Sequence, residues 1–162
     1  MPRRAATGAS LLTQAIALLA RREHSRAELA RKLLQRLEEG QSPAEVDSTL
    51  DELERRGLLS EARFAASLVR TRSPRIGDAR LEHELRTRGV PAETAAAALE
   101  FLRRAEGGSE IARARAVWTR RFGVLPRSTE ERARQSRFLQ ARGFGAEVIR
   151  KILRGLPGAD DE

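Results

Sequence analysis

The apolar residues along this chain recur at spacings of three and four. Leu11, Leu12, Ala15, Ile16, Leu18 and Leu19 make one stripe, Leu29, Leu33, Leu34 and Leu37 a second, and Val46, Leu50 and Leu53 a third. That spacing stacks side chains on one face of a helix, and it continues almost to the end of the chain. Helix starts are marked as well. Ser25 with Glu28, Ser42 with Glu45 and Ser128 with Glu131 fit the capping box, in which a serine oxygen accepts an orphan N–H and the glutamate reaches back. Pro43 suits the first turn of the second case, and Gly40, Gly57, Gly89 and Gly143 supply stops.

The pattern then repeats. "LRTRGVPAE" from Leu85 and "LQARGFGAE" from Leu139 share Leu, Arg, Gly, Ala and Glu at one spacing, and "LLQRLEEGQSPAE" from Leu33 is the same unit with three residues inserted before its glycine. Another helix precedes each. Comparing the later two pairs Arg63 with Arg113, Arg70 with Arg120 and Leu68 with Trp118, each fifty residues apart. Both helices then carry two arginines on one face, with Phe64 and Leu68, or Ala114 and Trp118, pointing inward. The expected fold is all-α: three tandem three-helix repeats at about 10–58, 59–104 and 109–155. Units this small cannot bury their apolar faces alone, so they stack into an elongated or curved body. Residues 1–9 are expected to be a disordered tail and 156–162, with "GADDE", a frayed acidic one.

Composition agrees. A chain of 162 residues can bury about 70% of its unfolded surface, and with 40% hydrophobic but only 4% aromatic residues the core must be Leu, Ala, Val and Ile. Cysteine is absent, which removes disulfides, thiolate ligands and thiol nucleophiles and suits a reducing compartment. The first residues faintly imitate a signal peptide, but Thr13 and Gln14 interrupt the apolar stretch and Arg21-Arg22 replace a small-residue cleavage site. No apolar run approaches the roughly 20 residues that span a bilayer, so no membrane role and a cytoplasmic location are expected.

Charge changes the picture. The net charge is +8, yet Glu38 to Glu54 holds seven acidic residues and no basic one, leaving the remainder at +15. Arginine supplies 29 of the 31 basic residues. Genomic base composition can account for individual arginines; it does not choose where the acids go. The asymmetry implies a polyanionic partner, or an acidic protein surface, for the later part of the molecule.

Catalytic chemistry has no foothold. His24 and His83 are the only histidines, and Glu82 and Glu84 beside His83 point to different helix faces, which is unsuited to zinc. Glycine forms neither a dinucleotide fingerprint nor a phosphate-binding loop. Ser25 beside His24 reads as a helix cap, and Trp118 beside Val117 and Phe122 as core. No cofactor, no metal and no enzymatic activity are expected.

"GLLSEARFAASLVRTR" from Gly57, followed by Ile76-Gly77, Arg80-Leu81, Glu84-Leu85 and Arg88-Gly89-Val90, resembles the central repeat of the RecX family, regulators of the RecA recombinase. With the terminal "ARGFGAEVIRKIL", the resemblance covers about 11–155. It implies a tandem three-helix architecture, binding along the groove of a RecA filament on single-stranded DNA, and restraint of recombinase, ATPase and co-protease activities. In one departure, Ser60-Glu61 stands where the family commonly has an aspartate before the Phe-Ala element. Ser60 can still cap the helix, and Glu61 suits its positive end.

Two non-catalytic classes follow. In the first, the chain is a regulatory clamp on a protein filament. Glu45, Asp47 and Asp51 on the acidic helix then meet a basic protein surface, and Arg63, Arg70, Arg72, Arg75, Arg80, Arg113, Arg120 and Arg121 meet DNA phosphates or acidic patches. In the second, it is a helical DNA-binding module with Arg80, Arg86 and Arg88 in a groove. Composition favours neither; the resemblance favours the first, with a RecA filament as partner, weak electrostatic contact with single-stranded DNA, and a monomeric chain.

Overall fold

In the computed structural model, which describes residues 10–155, serine stands at the N-cap of six of the nine helices among those residues. The expected tails at 1–9 and 156–162 lie outside the described residues. The helices are α1 (Leu11–Leu19), α2 (Arg26–Leu34), α3 (Pro43–Arg55), α4 (Glu61–Arg72), α5 (Asp78–Thr87), α6 (Ala92–Arg104), α7 (Glu110–Arg121), α8 (Thr129–Ala141) and α9 (Ala146–Arg154). No strand occurs among the described residues. The capping boxes form in varied ways. Glu45 reaches back to the Ser42 N–H at 3.4 Å, whereas the Glu131 carboxylate goes one residue further, to the Arg127 N–H at 2.7 Å. Ser25 caps the Glu28 N–H at 3.1 Å, but the Glu28 carboxylate is spent on arginines instead.

Three separate cores result. Leu11, Ala15, Leu29, Leu33, Val46, Leu50 and Leu53 fill the first, Phe64, Ala65, Leu81, Leu85, Ala95 and Leu99 the second, and Ala114, Val117, Leu139, Phe144, Ile149 and Ile152 the third. Each belongs to three consecutive helices, and the extended helix-on-helix packing lies within these triplets. The molecule is a succession of three three-helix units.

Neighbouring units meet at two joints built alike. At each, the N-terminus of one unit's second helix meets the turn between the second and third helices of the next. Ser25 Oγ donates to the Arg88 carbonyl at 2.6 Å in the first joint, and the Gly77 N–H donates to the Arg142 carbonyl at 2.8 Å in the second. Each turn carries a left-handed glycine, Gly89 at φ +79° and Gly143 at φ +83°, conformations that side chains resist. A carboxylate closes each joint. Glu61 accepts the Arg26 N–H, and Glu110 Oε1 accepts those of Asp78 at 3.1 Å and Gly145 at 3.2 Å, so one acid satisfies orphan donors of a helix in the preceding unit.

The joints correct the internal register. Caps Ser60 and Ser109, carboxylates Glu61 and Glu110, and the fully buried Ala65 and Ala114 are forty-nine residues apart, not fifty. Arg113 therefore occupies the core-facing position of Phe64, Arg120 the position of Thr71 rather than Arg70, and Arg121 the position of Arg72. A charged residue at a core position is what hid the true spacing.

Candidate partner-binding surfaces

The arginines named from sequence do not form one track. Arg113 is 6% exposed, and its guanidinium bonds the carbonyls of Gly108 (3.0 Å), Ser73 (3.3 Å) and Ile76 (2.7 Å) and pairs with Asp78. It is a strut of the second joint, and the expectation that it faces a partner is withdrawn. Three others span joints from the surface. Arg63 pairs with Glu23 at 3.0 Å, Arg80 donates to the Ala141 carbonyl at 2.9 Å, and Arg120 to the Pro74 carbonyl at 3.0 Å. Arg72 makes two bonds to Glu84, at 3.0 and 2.7 Å, which hold the Glu84 carboxyl below its ordinary range. Arg70, Arg75 and Arg121 are exposed, and among the described residues their side chains make no hydrogen bond or ion pair.

Glu45, Asp47 and Asp51 are exposed along α3. Asp51 is bound to Arg26 at 2.9 Å beside Glu54 at 3.0 Å; Asp47 has no hydrogen bond or ion pair among the described residues. The acidic helix thus offers the outer part of its charge.

Three clefts follow from this packing. Between α4 and α6 runs an apolar groove of about 670 Å³ walled by Ala62, Ala66, Val69, Ala97, Ala98 and Phe101, with Arg70 at its edge and Phe101 76% exposed. At the first joint a cleft of about 330 Å³ is lined by Arg22, Glu23, Leu68, Thr71, Arg72 and Arg88 among others. At the second a cleft of about 310 Å³ is lined by Arg75, Val117, Arg120, Arg121, Phe138 and Arg142. Arg142 lies 3.7 Å from the centre of the Phe138 ring, and Phe138 meets Phe122 edge-on at 5.1 Å.

Sequence reasoning missed Arg142 as a joint residue, and it read Glu28 only as a capping-box acid and Arg88 only as a groove arginine of the duplex-binding class. Glu28 is 5% exposed; burial alone would push its carboxyl up, yet hydrogen bonds from Arg88 and Arg22 hold it below its ordinary value. The Arg-Gly pair shared by both "GVPAE" and "GFGAE" segments was the available signal for Arg88 and Arg142. Trp118 packs partly buried against the third core and donates to Gln135 Oε1 at 2.7 Å, as a core indole does. Among the described residues no group of three His, Asp or Glu side chains is placed to hold a metal ion, and no helix is long and apolar enough to cross a membrane.

Comparison with known proteins bears on this architecture directly. The family model for the RecX second three-helix domain matches residues 60–99, and that for the third matches 109–153. The chain belongs to the RecX family. It is 49% identical over 145 residues to the regulatory protein RecX of Leptothrix cholodnii, covering 90% of this chain and 88% of that protein. It is 46% identical over 153 residues to that of Ralstonia nicotianae, covering 94% and 92%. The fold is that of the crystal structure of RecX from Lactobacillus salivarius, at TM-score 0.73 and 17% identity over 89% of this chain and 92% of that one. RecX relatives are named as regulatory proteins, so a RecX regulatory role, not an enzymatic one, is assigned to this chain.

Proposed function

We propose that this chain binds a RecA filament assembled on single-stranded DNA and restrains its recombinase, ATPase and co-protease activities. The observation that carries the reading is similarity to regulatory RecX proteins over nine-tenths of the chain. The distribution of charge supports it. The exposed acids of α3 in the first unit suit a basic protein surface, while the free Arg70, Arg75 and Arg121 of the later units suit phosphates or acidic patches. A succession of units joined at fixed contacts suits an extended target. The chain acts as a monomer in the cytoplasm.

The alternative, a stand-alone duplex reader, draws less support. Two of the three arginines it needs are committed inside the molecule, Arg80 to the Ala141 carbonyl and Arg88 to Glu28 at 2.7 Å. The test is RecA-dependent ATP hydrolysis on single-stranded DNA, titrated with this protein. Dose-dependent loss of hydrolysis is expected. Unchanged hydrolysis, together with a sequence-specific footprint on duplex DNA in the absence of recombinase, overturns the reading.

A further inference from the structure

The two joint clefts are the same place in the fold, lined by different chemistry. Leu68 and Val117, Thr71 and Arg120, and Arg72 and Arg121 correspond between α4 and α7. Glu23 corresponds to Arg75 ahead of the second helix, and Arg88 to Arg142 in the following turn. In the first joint every arginine has an acid. Arg72 is held by Glu84, and both Arg88 and Arg22 by Glu28, at 2.7 and 3.2 Å; Glu23 meanwhile holds Arg63. In the second joint Glu23, Glu28 and Glu84 are replaced by Arg75, Arg80 and Phe138, and Thr71 by Arg120.

The consequence is a cleft of about 310 Å³ with four arginines and no acid in its lining. Like charges in one cleft repel, and the first joint removes that cost internally while the second leaves it to something from outside. Two of the four forks are already anchored by weak bonds, Arg120 to the Pro74 carbonyl and Arg142 to the Phe138 carbonyl at 3.3 Å and to its ring. Arg75 is unbonded and Arg121 has no hydrogen bond or ion pair, lying only over the Phe122 and Phe138 rings at 5.3 and 6.0 Å, so an anion can take both without breaking a hydrogen bond. Guanidinium forks match phosphate oxygens two at a time. Neighbouring, partly exposed Phe122 and Phe138 give a strand an apolar edge to lie on.

We infer that the cleft at the second joint is a phosphate-binding site that seats the backbone of a single-stranded nucleic acid, and that the equivalent cleft at the first joint is not. This rests on the reading above only in naming the nucleic acid as the DNA of the filament; the cleft itself is argued from the contrast between the joints.

The experiment uses the full chain and a labelled oligothymidylate about twenty nucleotides long, without recombinase, by anisotropy across a salt series. Arg75→Gln/Arg121→Gln removes two charges that hold no hydrogen bond. Arg104→Gln/Arg150→Gln removes two that are exposed on α6 and α9 and paired only within their own helices. The cleft variant should lose roughly tenfold in affinity at low salt, with the slope of log affinity against log salt shallower by about 1.4, at about 0.7 per phosphate. The control should lose much less, and pyrophosphate should displace the strand from the wild type. Equal losses in the two variants overturn the site. So does displacement by polyglutamate as effective as by unlabelled oligothymidylate, which would mark the cleft as a seat for acidic protein. Filament ATPase, measured with the same variants, separates the two claims. Wild-type protein without effect on the filament defeats the functional reading and leaves the cleft standing; equal oligothymidylate losses defeat the cleft whatever the filament does.

Discussion

At the scale of single residues, arginine has two opposite uses in this chain. Arg113 is buried with Asp78 and three carbonyls, and removing it takes a donor from the buried Gly108, Ser73 and Ile76 carbonyls, at about 1–3 kcal/mol for each group left unsatisfied, while Asp78 keeps Arg103 at 2.9 Å. Arg113→Met, which keeps much of the side-chain length, should therefore lower stability to urea by about 3 kcal/mol or more, while Arg70→Met should change it by less than about 0.5 kcal/mol. Equal unfolding midpoints for the two variants would show that Arg113 is not a strut. His24 makes a second case. It is 1% exposed, its Nδ1–H donates to the Arg22 carbonyl (3.0 Å) and its Nε2 accepts from Lys32 Nζ (2.9 Å), and burial pushes its pKa below 6.5, with the charges of Arg22 and Lys32 adding to the effect and the bond to the Arg22 carbonyl and the charge of Glu28 opposing it. A depressed base favours the folded state when neutral, so its contribution is complete above 6.5 and is lost as pH falls below that value and the unfolded chain takes up the proton first. The drop in melting temperature between neutral pH and mildly acidic pH should accordingly shrink in His24→Gln. An undiminished drop would place the acid sensitivity in another group; Glu28, whose carboxyl is held below 4.5, loses its contribution only at more acidic pH and does not account for this window.

At the scale of elements, the helices were legible because their information is local: stripe spacing, serine caps and glycine stops need no knowledge of neighbours. The joints were not, because they depend on which residue meets which across two units. The fifty-residue register followed matching arginines, and only the buried Ala65 and Ala114 with caps Ser60 and Ser109 expose the true spacing. Gly77 is the element-scale counterpart of Arg113. Its φ of −81° is open to any residue, so nothing local demands glycine, yet a Cβ there would run into the Gly143 carbonyl across the second joint. Gly40 is the reverse, with φ +92° and open space around it. Gly40→Ala should cost about 1 kcal/mol through backbone strain alone and act within its own unit. Gly77→Ala should leave helicity unchanged but loosen the second joint, seen as faster amide exchange at Gly77 and Gly145 N–H groups, which cross or flank it. Unaltered exchange at both amides, with the variant folded, would mean the close approach there is not needed to hold the units together.

At the scale of the whole molecule, the charge imbalance was legible from composition, but its meaning depends on pairing that composition cannot report. Arg26 absorbs Asp51 and Glu54, Arg72 absorbs Glu84, and Arg88 absorbs Glu28, so much of the arginine in the first two units is already neutralised. The arginines lining the cleft at the second joint stay unneutralised and acid on α3 stays unspent, at different places along the array of units. A target that is only DNA would use the first and ignore, or be repelled by, the second. A filament presents both phosphates and protein. Contacts to phosphate release counterions, so affinity for a naked strand falls by about 0.7 in log affinity per phosphate for each decade of salt. Contacts of the acidic helix and of the apolar α4–α6 groove with protein are not subject to that release, and apolar burial does not weaken as salt rises. Inhibition of filament ATPase should therefore persist at salt concentrations where anisotropy no longer detects binding to naked oligothymidylate. If the two activities vanish at the same salt, the chain works through DNA alone, and the acidic helix has no part in holding the filament. Charge reversal of the free acid, Asp47→Lys, separates these outcomes further: it should strengthen binding to naked DNA slightly while weakening filament inhibition at high salt, two opposite shifts that no purely phosphate-directed mechanism produces.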